Sequence, residues 1–341
     1  MLSKRDLLRF RPIARWILIA LVLCCAAAVA FTAQRLPLNL VSTSWPPFTN
    51  VPGQPRMALD LVEAALGRIG VAAKTTIVSA AEFTPALVSG SFDGTAAAWK
   101  DADRERVLIF SQPYLENRLV LVGRSGADVS AKSMADLRGK RVAIVEGYSY
   151  GDAVDDTGAV FVRSRSEEDS LTRLLSGDVE YTLMDDLVIQ SLVSQYPKES
   201  AARLHIASAP LITRPLYFAV RRTHPDAESL VAGFNAQLRS MIVDRTYHRL
   251  LHVDWIRADV NGDGVPEFIP SDDKPGPSVP LTAYTLPSTS GSLSKDTRSS
   301  GFYVGGTIYS DWASVPESYK EVNPRYPDPR RSTASIFKFT W

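Results

Sequence analysis

The sequence predicts an α/β fold of two lobes followed by an irregular C-terminal extension. Strand-like and helix-like stretches alternate from Leu36, the alternation restarts near Met134, and proline, serine, threonine and glycine dominate after Arg257. A βαβα order implies a mostly parallel sheet covered by helices, because a crossover must return the chain before the next parallel strand can start. At 341 residues the chain is too long for one small core and suits two lobes, or one large domain with an extension.

Taken in order, LNLVST reads as a short apolar strand ending in the turn WPPF, and MALDLVEAALGRIG spaces its apolar residues along one helix face and closes on Gly70. AAKTTIVSA is the next strand and EFTPALVSG a helix ending on Gly90, followed by SFDGTAAAW and DRERVLIFSQPY. In the second half, MADLRGKRVAIVEGYSYGDAV gives a short helix, a strand and a Gly-Tyr-Ser turn into another helix. EEDSLTRLLSGDVEYTLMDD gives a helix, Gly177, and a strand ending in two carboxylates; LITRPLYFAVRR is a strand, and Asp226 to Trp255 one or two amphipathic helices. The expected boundaries are 1–33 for an N-terminal segment, 34–122 for the first part of lobe 1, 123–212 for lobe 2, 213–257 for the return to lobe 1, and 258–341 for the extension. The cleft between two such lobes is the default place for a ligand.

Composition is that of a globular protein, with 45% hydrophobic and 22% charged residues and a formal net charge of +1. Lys4, Arg5, Arg9, Arg11 and Arg15 stand against Asp6 in the first 33 residues, so the remainder is slightly acidic. That excludes a nucleic-acid partner recognised by charge. Both cysteines, Cys24 and Cys25, lie in the apolar run WILIALVLCCAAAVAFTA, which leaves no disulfide or thiol chemistry after it. The run follows a basic stretch, and Ala28-Val29-Ala30 fits a small-residue cleavage site. Its length lies between a signal peptide's apolar region and a spanning helix, so it is either a secretory signal or an uncleaved transmembrane anchor. In both cases the bulk of the chain is exported to the periplasm or another extracytoplasmic space, anchored to the inner membrane if the segment is retained.

Two arginines, Arg104 and Arg106, precede the apolar stretch VLIFS. A guanidinium at the mouth of a strand, where a cleft opens, suits bidentate capture of a carboxylate. The order SWPPF, LDLVEAALGRIG, EFTPALVSGSFDG, DRERVLIFSQPY, MADLRGKRVAIVEGYS, LLSGDVEYTLMDD and FNAQLRSMIVDRTYHRLL resembles the extracytoplasmic solute-binding proteins of family 3, the polar amino-acid receptors of ABC importers. The resemblance covers about residues 36 to 257. It implies a type II periplasmic-binding-protein fold, two lobes joined by two crossing strands, with the ligand clamped as they close.

Carried over residue by residue, the family's carboxylate-binding arginine lies six positions before the phenylalanine of FSQPY, at Arg104, which leaves Arg106 as a surface or lobe-packing residue. Trp45 matches the aromatic that stacks on the ligand, although ordinary core packing explains it almost as well. Ser149 matches the position that offers a hydroxyl and a backbone N–H to the same carboxylate, where a plain helix cap is the other reading. Asp185, eight positions after Gly177, matches the aspartate that accepts from the ligand's amino group, with Asp186 as the neighbouring alternative. The resemblance thus implies a zwitterion read from both lobes.

Departures from the family pattern bear on the ligand. Trp99 and Asp101 stand where many members carry serine or threonine, so Trp99 joins the expected ligand set as bulk in place of a hydroxyl. Arg56 stands where a glycine is usual, and Ser42 where receptors for basic amino acids tend to carry an acid.

A second motif is DVNGDGVPE, with oxygen donors Asp259, Asn261, Asp263 and Glu267 at positions 1, 3, 5 and 9 and Gly264 at position 6. Alternate side chains of a tight loop converge on one point, which suits a hard cation. Pro270 stands where a helix-loop-helix calcium site has its glutamate, so the loop resembles the shorter calcium loops of dockerin-like and integrin-like repeats; it holds a structural calcium or is a metal-free turn rich in Asp and Asn. His248 and His252, four apart, form a metal pair only with a third ligand, and a solvated helix face is the plainer reading. Phosphate-loop, dinucleotide, serine-hydrolase and zinc-protease signatures are missing from the contexts that would give them meaning.

The leading function is a non-enzymatic receptor for an amino acid or related small carboxylate, delivering it to an ABC permease and needing no cofactor. An anchored sensor or scaffold is the first alternative. The second is a dehydratase-like enzyme on the same fold, which would need a proton donor such as Glu146 or Asp101 in the cleft.

Overall fold

The computed structural model describes residues 36–148, 150, 151, 154, 157–277, 283–287 and 300–321. Two compact units divide the chain, residues 1–37 and residues 38–341, and all the elements named here belong to the second. The expected signal or anchor segment lies outside the described residues. Among those described, no helix is long and apolar enough to cross a membrane.

Lobe 1 opens with β1 (Leu38–Thr43), α1 (Met57–Arg68), β2 (Ala73–Val78), α2 (Ala80–Ser89) and β3 (Gly94–Ala98). β1 pairs in parallel with β2 on one side and β3 on the other, as crossovers through α1 and α2 require. The apolar stripe of α1 buries Leu59, Leu61, Val62 and Leu66. Arg56, the unexpected residue ahead of this helix, forms ion pairs with Asp60 and Glu63. α2 starts at a capping box between Ser79 and Glu82 and stops at Gly90, whose φ of 89° is left-handed. Next come α3 (Ala102–Val107) and β4 (Leu108–Phe110). Arg104 therefore sits in a short helix and not at a strand mouth; Asp101 caps that helix by accepting from the Arg104 N–H at 2.8 Å.

Strand β5 (Leu115–Arg124) leads into lobe 2, built from β6 (Arg141–Val145), β7 (Val160–Ser164), α4 (Glu167–Ser176), β8 (Tyr181–Asp185), α5 (Asp186–Gln195) and α6 (Pro197–Arg203). The long β9 (Leu204–Arg221) then returns the chain, pairing antiparallel with β5 from Leu204 to Leu216 and with β3 and β4 from Tyr217 to Arg221. One strand is thus shared by both lobes, and the sheet runs β2-β1-β3-β9-β5-β8-β6-β7 with β4 also on β9. The expected lobe boundary at 212 falls inside β9, whose first half, LHIASAP, has too many polar and small residues to show a strand pattern. Helices α7 (Ala227–Val243) and α8 (Thr246–Leu251) complete lobe 1, where α7 buries Leu230, Phe234, Leu238 and Met241.

The extension is not irregular throughout. Strands β10 (Trp255–Ala258), β11 (Glu267–Pro270), β12 (Tyr284–Thr285), β13 (Phe302–Val304) and β14 (Thr307–Tyr309) form a separate sheet in the order β12-β10-β11-β13-β14. Two- to four-residue strands are too short to show a period of two, which is why composition alone read them as linker. The expected boundary at 258 coincides with the end of β10, so this sheet starts inside the presumed binding domain. Its core is aromatic, with Phe268 stacked on Phe302 at 5.3 Å and Trp255 edge-on to Trp312 at 5.8 Å.

Two buried side chains fasten the extension to the lobes. His248 is buried and not on a solvated face; its Nε2–H donates to the Ile269 carbonyl of β11 at 2.9 Å. Burial pushes this imidazole down to about 4, so it is neutral. The Tyr284 hydroxyl donates to the Glu116 carbonyl of β5 at 2.8 Å and accepts from the Glu116 N–H at 3.2 Å.

Candidate interlobe ligand site

Where the carboxyl ends of β1 and β3 face the turn after β6, a cavity of about 30 Å³ opens between the lobes. Lobe 1 supplies Thr43, Trp45, Phe83, Ala97, Trp99 and Arg104 to its wall; Gly147 and Tyr148 come from lobe 2. The approach is close: a Cβ added to Gly147 would lie 2.9 Å from the Ala80 carbonyl oxygen, and its φ of 80° favours glycine independently.

Arg104 and Arg106 part company here. The Arg104 side chain is 9% exposed and that of Arg106 77% exposed, paired only with Asp103 on the surface. A short helix with alternate residues on opposite sides forces this split. Arg104 Nη1 donates to the Trp99 carbonyl at 2.9 Å, Nε faces Asp101 at 3.5 Å, and the guanidinium lies over the Phe83 ring at 5.4 Å. None of these contacts uses Nη2. Burial lowers the Arg104 pKa below its usual value, with Asp101 opposing and Arg214 adding to that effect, yet guanidinium remains charged throughout the ordinary pH range.

Trp45 is buried, tilted against Phe48 at 4.7 Å and against Tyr148 at 5.2 Å. Trp99 meets Trp45, Tyr148 and Tyr150 edge-on at 5.4 to 5.5 Å, and Arg214 lies over its face at 5.7 Å. The site is a guanidinium in an aromatic box spanning both lobes. Such a box binds a flat or cationic group through ring faces, while Arg104 binds an anion.

The family model for bacterial extracellular solute-binding proteins, family 3, matches residues 40–257. The chain belongs to that family. No curated protein matches it. Among solved structures, an ancestral arginine-binding protein bound to arginine is 27% identical, covering 64% of this chain and 98% of its own, with a TM-score of 0.54. The P235GK mutant of ArgBP from T. maritima is 25% identical, covering 63% and 93%, with a TM-score of 0.53. The GluR0 ligand-binding core in complex with L-glutamate, at 18% identity, shares the fold alone, covering 64% and 100% with a TM-score of 0.55. The two-lobed, type II periplasmic-binding-protein architecture expected from the sequence is therefore the fold of this family member.

Of the residues singled out from the sequence, the structure gathers Trp45, Trp99 and Arg104 around one cavity. Ser149 lies outside the described residues. Asp185 is not on the cavity wall: it ends β8, is fully buried and caps α5 by accepting from the Leu187 N–H at 2.8 Å. Its other oxygen accepts from the Asn117 side-chain amide and the Arg118 N–H, both at 3.0 Å. Spacing to Gly177 found the residue but carried no sign of these donors on a distant strand. Burial, with the charge of Asp186 added, raises its carboxyl to about 7 against the pull of those three bonds. Asp186 opens α5 and pairs with Arg118 at 3.5 Å.

The sequence reading missed Glu167, in the first turn of α4 and 7% exposed. One of its oxygens, Oε2, is buried without a hydrogen-bond partner among the described residues, as is the Trp45 indole nitrogen. Burial pushes the Glu167 carboxyl up to about 8, the charges of Asp185 and Glu168 add to this, and the Trp45 N–H opposes it. Three acids opening a helix read as ordinary complements to its dipole, which hid the one that turns inward. Asp101 serves as a helix cap and Glu146 is exposed, so neither candidate proton donor is placed as a buried acid in the cavity.

The loop at 259–267 closes on its own backbone. Asp259 accepts from the Gly262 and Gly264 N–H groups, Asn261 from Asp263, Asp263 from Val265, and Glu267 from Val260. Asp259, Asp263 and Glu267 do not gather into a cluster able to hold a metal ion, and none of three or more such ligands exists among the described residues. The oxygens at calcium-loop spacing thus also brace the turn.

Proposed function

We propose that the protein is an extracytoplasmic receptor that captures an amino acid or a related small carboxylate between its lobes and presents it to an ABC permease. The observation that carries this reading is Arg104: a buried guanidinium on the wall of an interlobe cavity, held from behind by Trp99 and Asp101 with Nη2 left over for an anion. Family membership supports a binding role outside the cytoplasm. Solved relatives bound to arginine or to glutamine support an amino acid as the ligand. The cavity of about 30 Å³ holds little more than a water, so the ligand enters as the lobes part and the aromatic box opens.

A thermal-shift screen of the full chain against amino acids and small carboxylates tests this. A ligand present at 100 times its Kd stabilises by about 2.7 kcal/mol, a readily visible shift. A shift with one ligand class supports the reading and names the class; no shift with any of them overturns it.

A further inference from the structure

Behind the cavity wall, next to Trp45 and Tyr148, lies an acid that the aspartate spacing did not point to. Glu167 Oε2 and Trp45 Nε1 are a buried acceptor and donor on opposite lobes that face each other: the Trp45 N–H pulls the Glu167 carboxyl down, yet neither atom completes a hydrogen bond of ordinary geometry among the described residues. A buried carboxylate oxygen without a complete hydrogen bond costs about 1–3 kcal/mol, which favours a better donor where one can reach it. Ser164 and Ser170, which flank Glu167 on the same turn and helix, also carry buried hydroxyls without partners. Glu167 itself lies beside Trp45 and Tyr148 of the aromatic box, whereas both oxygens of Asp185 already accept hydrogen bonds.

Tyr148 fills the space between. Its ring touches Trp45 and Trp99 of lobe 1 and Tyr150 of lobe 2, its hydroxyl reaches toward Thr43, and Glu167 is the acid whose charge acts on it most strongly. Gly147 and Gly151, near it in the chain, both hold left-handed φ that glycine adopts without strain. Were this ring to leave, the room it fills would lie between Arg104 on one side and Glu167 on the other.

Resting on the receptor reading above, we propose that Glu167, and not Asp185, supplies the counter-charge for the ligand's ammonium group, and that the ligand takes the place of the Tyr148 ring. The ligand class is then a zwitterion whose carboxylate goes to Arg104 and whose ammonium lies in an aromatic box backed by a carboxylate, the arrangement that favours organic cations.

The test is calorimetric titration of the full chain with L-arginine, L-glutamine and L-glutamate, each beside the acid that lacks its α-amine: 5-guanidinopentanoate, glutaramate and glutarate. Glu167→Gln should weaken binding of the preferred amino acid on the order of 100-fold, the effect of losing a charged hydrogen bond, while leaving its des-amino counterpart within about twofold. Asp185→Asn should leave the ratio between amino acid and des-amino acid as in the wild type. Should Glu167→Gln melt too low to titrate, Glu167→Asp, which keeps the charge but shortens its reach, should show the same selective loss. If Arg104→Ala abolishes binding while Glu167→Gln binds the amino acid normally, this proposal fails and the receptor reading stands. A wild-type chain silent to all six compounds overturns both.

Discussion

The Asn117 side chain bridges the lobes: its amide donates to Asp185 Oδ2 at 3.0 Å while its carbonyl accepts from the Trp99 indole at 2.7 Å. All three residues are buried, so the wall of the ligand cavity in lobe 1 is tied through crossing strand β5 to the base of α5 in lobe 2. This makes Asp185 a fastening point. Asp185→Ala removes a helix cap and strands the Asn117 amide and the Arg118 N–H. It is expected to cost about 2–4 kcal/mol in urea unfolding, with Asp185→Asn costing less. A variant as stable as the wild type would refute this role.

The ligand-free protein should lose stability as pH rises from about 4 to about 8. Glu167 and Asp185 have folded pKa values of about 8 and about 7, above their ordinary 4.5 and 3.8, so the folded state holds their protons more tightly. The stability they contribute is complete below the ordinary values and is lost as pH climbs through 7 to 8. His248, lowered to about 4, acts oppositely: its contribution is present above 6.5 and is lost as pH falls through 4. Urea unfolding across this range should show the alkaline decline, and Glu167→Gln should flatten it; an unchanged slope in the variant would contradict the assignment.

Affinity for a zwitterion should run the other way. An ammonium group requires Glu167 ionised, while Asp185, Glu168 and burial keep it protonated, the Trp45 N–H opposes them, and Tyr148 and Tyr150 stay neutral. Binding of an amino acid should therefore strengthen by up to about tenfold per unit as pH rises toward 8, whereas its des-amino analogue should lack this dependence. Titrations at two pH values distinguish the two behaviours.

Tyr284 of the extension satisfies both backbone groups of Glu116. Glu116 needs it: β8 stops pairing with β5 at Leu119, and on the other side Glu116 lies opposite Pro215, which has no N–H to give. Tyr284→Phe should destabilise by about 1–3 kcal/mol with the aromatic packing intact, as read by the unfolding midpoint. A neutral substitution would mean that the extension does not brace the crossing strand.

The parts legible in the sequence are those whose cause is local. The apolar stripe of α1, the capping box at Ser79 and the left-handed glycines 90 and 177 each announce an element within a few residues. Only the family resemblance, counting six positions back from Phe110, separates Arg104 from Arg106; no local pattern does. The helix itself was hidden, since ADRERV has no apolar stripe and only Asp101 signals its start. What stayed illegible is long-range: Asn117 and Arg118 claiming Asp185, Ile269 claiming His248, and Glu167 turning inward from a run of three acids. The same limit applies to β10–β14, strands held by aromatic packing between segments far apart in the chain.

The central claim, that Arg104 captures a carboxylate between the lobes, is tested most directly by calorimetric titration of the wild type, Arg104→Ala and Arg106→Ala with L-arginine, L-glutamine and L-glutamate. The account expects a saturable heat with the wild type, its loss by 100-fold or more in Arg104→Ala, and a change of no more than about twofold in Arg106→Ala. Equal behaviour of the two variants would contradict it.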